Sequence, residues 1–126
     1  SDGPWASVAG ERYRVEIAQT PAEQQKGLGH RDALAPGTVM YFPYGRADYH
    51  GFWMKGMRFD IDILWIRDGR IVHIERRAAA QPGAPDEALK VYRPGAPADA
   101  VLEVNAGEAE KHGWRIGDRV EFHRPR

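Results

Sequence analysis

Asp62 is an acidic residue inside an otherwise apolar run, Ile61 to Ile66. Successive side chains of a strand point to opposite faces, so both faces of this run are apolar and Asp62 is expected to be partly buried. Burying a carboxylate is costly unless a cation or several donors meet it. We expect Lys55 or Arg31 to supply that cation. The cluster could be a structural ion pair, which is the simpler interpretation, or one charged wall of a ligand site.

A second set of candidates depends on a hairpin. Asp68-Gly69 separates two apolar runs and favours a type I′ turn. In the register set by a two-residue loop, Asp62 faces Glu75, and His73 lies two residues away on the same face. Such carboxylates can perform acid–base catalysis, and together with His73 they could bind a divalent metal. In the simpler interpretation, Glu75 faces water and pairs with a neighbouring arginine.

Aromatic side chains are concentrated between Tyr41 and Trp53, where they occupy six of thirteen positions. Most of them are expected to pack in the core, but tryptophan and tyrosine also line sugar and peptide sites. Trp53 and Lys55 belong to the motif Phe-Trp-Met-Lys, and His50 comes shortly before it. We therefore place Trp53 and Lys55 in a candidate ligand-binding cleft, with His50 as a secondary candidate.

Several classes of chemistry lack the residues they need. The chain has no cysteine, and its serines are Ser1 and Ser7, so thiol catalysis and a Gly-x-Ser-x-Gly nucleophile are excluded. Its histidines form no closely spaced pair, and no glycine-rich phosphate loop opens a helix. We expect neither a metal nor another cofactor. Because Lys+Arg and Asp+Glu both number 18, the chain has no basic excess, and we expect no nucleic-acid partner.

The elements that must position these residues are mostly strands. Apolar and charged residues alternate from Arg12 to Ile17, which is typical of a half-buried strand. Thr20, Pro21 and Glu23 form a capping-box pattern that predicts a helix to about Leu28. Asn105 is expected to cap a second helix that ends near His112. We predict a mainly β fold, an antiparallel sandwich or barrel with two short helices.

Length and hydropathy are consistent with one β-rich domain over residues 1–126. The chain has 126 residues and a mass of 14.2 kDa, which is enough for a single core. No apolar run approaches the roughly 20 residues of a membrane-spanning helix. The sequence opens Ser1-Asp2-Gly3-Pro4 without a methionine, which fits a mature chain after removal of a signal peptide and equally a start chosen for expression. We expect a periplasmic or otherwise extracytoplasmic protein.

Three blocks of sequence resemble a known family. The first block contains Val15-Glu16-Ile17-Ala18, Thr20, Glu23, Gln24, Gly27, Leu28 and Arg31. The second contains Phe52-Trp53-Met54-Lys55 and Asp62-Ile63-Leu64-Trp65-Ile66, and the third contains Val101-Leu102-Glu103-Val104-Asn105-Ala106-Gly107, Gly113 and Gly117-Asp118. In this order they resemble the bacterial and archaeal family called domain of unknown function 192 (DUF192). The resemblance implies a β-rich fold and, for many bacterial members, export; it implies no known activity.

Together these observations favour a small binding or accessory module for a cell-envelope saccharide or peptide. Arg31, Trp53, Lys55 and Asp62 are expected to converge at its site, with His50, His73 and Glu75 as secondary candidates. Two alternatives stay open: a hydrolase or lyase that uses carboxylates, and a protein-interaction module. The sequence does not decide whether a reaction is catalysed or how many copies of the chain associate.

Overall fold

The computed structural model describes residues 3–125, which fold mainly into one large curled sheet. Its elements are listed in chain order: β1 Trp5–Val8, β2 Glu11–Ile17, α1 Pro21–Lys26, β3 Thr38–Asp48, β4 Phe52–Trp53, β5 Ile61–Arg67, β6 Arg70–Ala78, a 3₁₀ turn Asp86–Ala88, β7 Val91–Tyr92, β8 Ala98–Asn105, α2 Glu108–His112 and β9 Val120–His123. The predicted mainly β class with two short helices is confirmed. Among these residues, no helix combines the length and apolar character that crossing a membrane requires.

The large sheet has the strand order β6-β5-β8-β3-β2-β1-β9, and β4 and β7 form a separate small sheet. Neighbouring strands are antiparallel except β2 and β3, which run parallel from Arg14↔Thr38 to Ile17↔Tyr41. A parallel pair needs a crossover connection, and α1 with its flanking loops provides it. The sheet curls into a half-barrel, so that Arg70 of one edge meets Arg119 just before the other.

The predicted hairpin between β5 and β6 is confirmed at its turn but not along its length. Asp68 and Gly69 both have positive φ angles, 50° and 75°, as a type I′ turn requires. An extra residue in β6 then shifts the register, so Glu75 lies opposite Ile63 rather than Asp62. The predicted facing carboxylate pair is therefore wrong, because one bulge moves every later side chain to a new partner.

The predicted N-terminal cap is present in α1 but not in α2. Thr20 Oγ1 accepts from Glu23 N at 3.1 Å, and Glu23 Oε1 accepts from Thr20 N at 2.8 Å, which confirms the capping box. The prediction that Asn105 caps α2 is wrong, since its side chain donates to Leu34 O at 3.0 Å. Gly107 precedes α2 and has no side chain to cap it, so the cap comes from elsewhere in the sheet.

Both faces of the sheet are buried. One face packs a cluster that includes Phe42, Trp65 and Val101 under α1 and the loops around β4. The opposite face packs a second cluster that includes Leu64 and Leu102 under α2 and Trp114. Charged residues at the centre of the sheet are therefore buried whichever face they occupy.

Candidate functional site

Asp62 is fully buried, as predicted, but its partners are backbone groups. Its carboxylate accepts from Arg77 N at 2.8 Å, Gly107 N at 3.2 Å and Ala109 N at 2.9 Å. The last two bonds cap α2, and the first fixes a bulge at which Arg77 has a φ of 53°. The prediction that a lysine or arginine neutralises Asp62 is wrong. We interpret Asp62 as a structural residue that joins β5, β6 and α2.

Arg31 and Lys55 have other partners. Arg31 forms two hydrogen bonds of 2.8 Å with the carboxylate of Glu16 and thereby lowers the pKa of that carboxyl. Lys55 Nζ lies 2.9 Å from Asp86 Oδ2 in a half-exposed ion pair. Glu16 pairs with Met40 across the sheet, on the face opposite to Asp62, so the expected four-residue cluster does not form.

Of the predicted set, Trp53 and Lys55 do come together. Lys55 Nζ lies 5.3 Å from the centre of the Trp53 ring. His50 is close by, because its ring stacks on Tyr44 at 3.8 Å between ring centres. His73 lies elsewhere, edge-on to Trp65 with 5.3 Å between ring centres. Whether any of these side chains binds a ligand stays a prediction.

Trp53 and Lys55 line a cleft of about 260 Å³ between the end of α1, strands β3 and β8, and the segment around β4. The lining residues are Gln24, Gln25, Lys26, Gly27, Leu28, Phe42, Tyr44, Gly51, Phe52, Trp53, Lys55, Met57 and Glu103. We call this space the Glu103 cleft. It combines four aromatic side chains with a small number of polar groups, the composition that is typical of small-molecule sites.

Glu103 is the carboxyl group at the base of this cleft. It lies on β8 between Met40 of β3 and Ile63 of β5, neither of which has a polar side-chain atom that can donate. Its side chain is buried, and Oε1 has no hydrogen-bond partner within residues 3–125. Burial raises the pKa of Glu103 to about 8, because the charged form is poorly solvated there. The group is therefore predominantly protonated at neutral pH.

Sequence reasoning missed Glu103, although a signal was present. Val101-Leu102-Glu103-Val104 places an acidic residue in a run that is apolar on both faces, the same pattern that singled out Asp62. The structure puts the two carboxyls on opposite faces, because Asp62 pairs with Val104 and Glu103 pairs with Ile63 in the same ladder. They cannot form one site.

Gly27 allows α1 to lie against the Glu103 carboxyl. A Cβ atom at this position would lie 3.4 Å from Glu103 Oε1 and 3.5 Å from Phe42 Cζ. Gly27 has a φ of 51°, which also disfavours a side chain. The glycine therefore ends α1 and keeps this side of the cleft open.

The charged groups of the cleft are few. Lys26 is exposed at the end of α1, and Lys55 is balanced by Asp86. Burial raises the pKa of Tyr44, and the charge that Glu103 carries once it ionises raises it further, so the phenol is neutral at physiological pH. Within residues 3–125, no three His, Asp or Glu side chains are grouped as a metal site requires.

The chain is similar to one known family over nearly its whole length. The model of the DUF192 family, described as an uncharacterized ACR, matches residues 5–122. The chain belongs to the DUF192 family. No curated protein is significantly similar to it. The three blocks that carry the DUF192 resemblance all reach the cleft: Gly27 comes from the first, Trp53 and Lys55 from the second, and Glu103 from the third.

Two solved structures share the DUF192 fold of this chain. A protein of unknown function from Novosphingobium aromaticivorans is 33% identical, with a TM-score of 0.81, over 93% of this chain and 83% of that one. A protein from Sinorhizobium meliloti, described as a candidate transcription regulator, is 29% identical, with a TM-score of 0.82, over 97% and 95% of the two chains. The first structure supports the family assignment and leaves the activity open.

Proposed function

We propose that this protein is a binding module for a small saccharide held in the Glu103 cleft. The observation that carries the proposal is the buried Glu103 Oε1, which has no partner within residues 3–125 and lies at the base of an aromatic cleft. A buried polar atom without a partner costs free energy, and a ligand group that bonds to it recovers part of that cost.

The walls of the cleft suit a sugar ring. Trp53 is partly exposed, and such a ring stacks on the apolar face of a sugar while neighbouring groups bond to its hydroxyls. Glu103 supplies one polar contact, and the exposed amide of Gln25 supplies another at the rim. The volume of about 260 Å³ lies just below the usual range of ligand pockets, which favours a ligand of monosaccharide size or one end of a longer chain.

Binding is better supported than hydrolysis. Glycosidases use two carboxyl groups that flank the scissile bond. Among the lining residues that the structure describes, Glu103 supplies the only carboxyl group. Asp62 is fixed on the opposite face, and Glu75 lies two strands away, at a backbone separation of about 10 Å.

The cell envelope is the proposed place of action. This part of the proposal rests on the export that the DUF192 resemblance implies for many bacterial members. The gene that encodes the chain tests it: an apolar leader before Ser1 is expected, and cell fractionation should recover the protein outside the cytoplasm. Translation that begins within a few residues of Ser1 without such a leader would contradict export.

The binding proposal is tested by titrating ¹⁵N-labelled protein with monosaccharides and short peptides up to about 10 mM, since a first ligand of this size can bind with a Kd near 1 mM. We expect a saccharide to shift the amide signals of Gly27, Phe52 and Glu103. Trp53→Ala should weaken binding at least several-fold by removing a stacking surface. Glu75→Gln, outside the cleft, is the control. If peptides alone shift the cleft signals, or if no saccharide does, the proposal is wrong.

A further inference from the structure

We propose that the saccharide bound in the Glu103 cleft is an amino sugar whose ammonium group donates to Glu103 Oε1. This inference rests on the proposed function and narrows its ligand class. It follows from three features of the cleft: the unpartnered carboxyl, the aromatic walls and the balance of charges around them.

The unpartnered carboxyl is the first feature. Glu103 lies between Met40 and Ile63 on the sheet, and no described residue donates to its Oε1 atom. In a site of low polarity, the strongest bond available to such an oxygen comes from a charged nitrogen. A hydroxyl of a neutral sugar can also donate, but its bond is roughly half as strong.

The aromatic walls are the second feature. Phe42, Phe52 and Trp53 line the cleft, and the face of an aromatic ring attracts an ammonium ion at distances up to about 6 Å. Lys55 Nζ, 5.3 Å from the Trp53 ring centre, shows that this ring accepts an ammonium group at the rim. A ligand ammonium deeper in the cleft would meet rings and the carboxyl together.

The third feature is the charge that the surrounding elements present. Besides Glu103, the titratable groups that line the cleft are Tyr44 from β3, Lys26 from α1 and Lys55 from the segment after β4. Lys55 is neutralised by Asp86, and Lys26 is exposed, where water and salt screen its charge. Tyr44 is neutral at physiological pH because burial raises its pKa. Glu103 therefore determines the charge at the base.

Binding an ammonium group there must release a proton. With a pKa of about 8, Glu103 is protonated in the free protein at pH 7. When the ammonium group binds, the carboxyl O–H bond breaks, its proton passes to the buffer, and an ammonium–carboxylate pair remains. Below the pKa values of both groups, affinity should rise about tenfold per pH unit. A neutral sugar leaves the proton in place and shows no such dependence.

The experiment is isothermal titration calorimetry with glucosamine, glucose and cyclohexylamine at pH 5.5, 6.25 and 7.0, in buffers of different ionisation enthalpy. We expect glucosamine to bind at least tenfold more tightly than glucose at pH 7.0. It should release close to one proton, and its affinity should rise with pH. Glu103→Gln should remove the preference, the proton release and the pH dependence together. Glu75→Gln, the same chemical change outside the cleft, should keep all three.

Each alternative outcome identifies what is wrong. If glucose binds as tightly as glucosamine without proton release, the amino-sugar inference fails and the saccharide proposal stands. If cyclohexylamine binds like glucosamine and glucose does not bind, the ammonium contact stands and the saccharide proposal fails. If no probe binds, both fail. The titrations of the unmodified protein decide between these outcomes even if Glu103→Gln does not fold.

Discussion

Asp62 and Glu103 are both buried carboxyl groups, yet the backbone satisfies only the first. Asp62 accepts three backbone N–H bonds, a set that stabilises a carboxylate without any cation. Glu103 Oε1 has no partner among the described residues. At the scale of single residues, the number of donors therefore separates a carboxyl group whose bonds hold the fold together from one with an unused acceptor.

Asp62→Asn should destabilise the protein by about 2–3 kcal/mol, because the new amide group places N–H donors against backbone N–H groups. Urea denaturation monitored by tryptophan fluorescence would measure this loss. The matched control is Asp60→Asn, which removes charge from an exposed carboxylate that accepts one bond, from Ala80 N at 2.9 Å. A loss at Asp62 no larger than at Asp60 would contradict the structural role.

Glu103 should make stability depend on pH. Its pKa rises from 4.5 to about 8 on folding, so between these values the folded state holds more protons than the unfolded state. Stability should therefore fall as pH rises through this range, by up to about 1.4 kcal/mol per pH unit. Glu103→Gln should remove this decline. The stability of the variant relative to the unmodified protein should therefore be higher at pH 9 than at pH 5. Parallel stability profiles for the variant and the unmodified protein would be inconsistent with a buried, protonated Glu103.

Lys55→Met should change stability by less than about 1 kcal/mol, because the ion pair with Asp86 is half-exposed. Thermal melting followed by circular dichroism would measure the change, and Asp86→Asn should match it. A much larger loss would mean that Lys55 neutralises a buried carboxylate after all.

The sequence identifies buried carboxyls but not their partners. Asp62 could be predicted from an acidic residue in an apolar run, and the same rule applies to Glu103. Partners could not be predicted, because Gly107 N and Ala109 N lie 45 and 47 residues from Asp62 in the sequence. They reach its carboxylate only after α2 folds against the sheet. Contacts of this kind depend on which face of the sheet each strand presents.

At the scale of elements, the β5–β6 hairpin shows that a local sequence pattern can predict a turn without predicting the strand register beyond it. Asp68-Gly69 determines the turn, because these residue types tolerate positive φ. The later register depends on bulges, one of which lets Arg77 N reach Asp62 at 2.8 Å. Because that contact is tertiary, the pairing of Glu75 with Ile63 could not be read from the turn alone.

The end of α1 gives a prediction at the same scale. Gly27→Ala should destabilise the protein by about 1–3 kcal/mol, because φ is 51° and the added methyl group would contact Glu103 and Phe42. The substitution should also lower the affinity of the cleft for its ligand. Gly83→Ala is the control, since Gly83 has a φ of 76° with open space around it. Equal effects on stability and on binding would show that Gly27 does not shape the cleft.

At the scale of the whole molecule, the class of fold was predictable and its connections were not. Alternation in β2 and the β5–β6 hairpin predict strands, and these dominate the structure. The parallel β2–β3 pair follows from a crossover through α1, which no local pattern specifies. That crossover brings the end of α1 against β8, and so the Glu103 cleft is a product of topology.

Charge gives the last prediction at this scale. Lys+Arg and Asp+Glu both number 18, and the helices contain six and five residues, too few to present the recognition helix of common DNA-binding motifs. We expect binding to a fluorescent 20-base-pair duplex no tighter than a Kd of about 10⁻⁴ M at physiological salt, the weak limit of non-specific association. Fluorescence anisotropy at 50 and 200 mM salt measures this. A submicromolar Kd that weakens steeply with salt would contradict this prediction and would reveal a basic surface that the overall charge conceals.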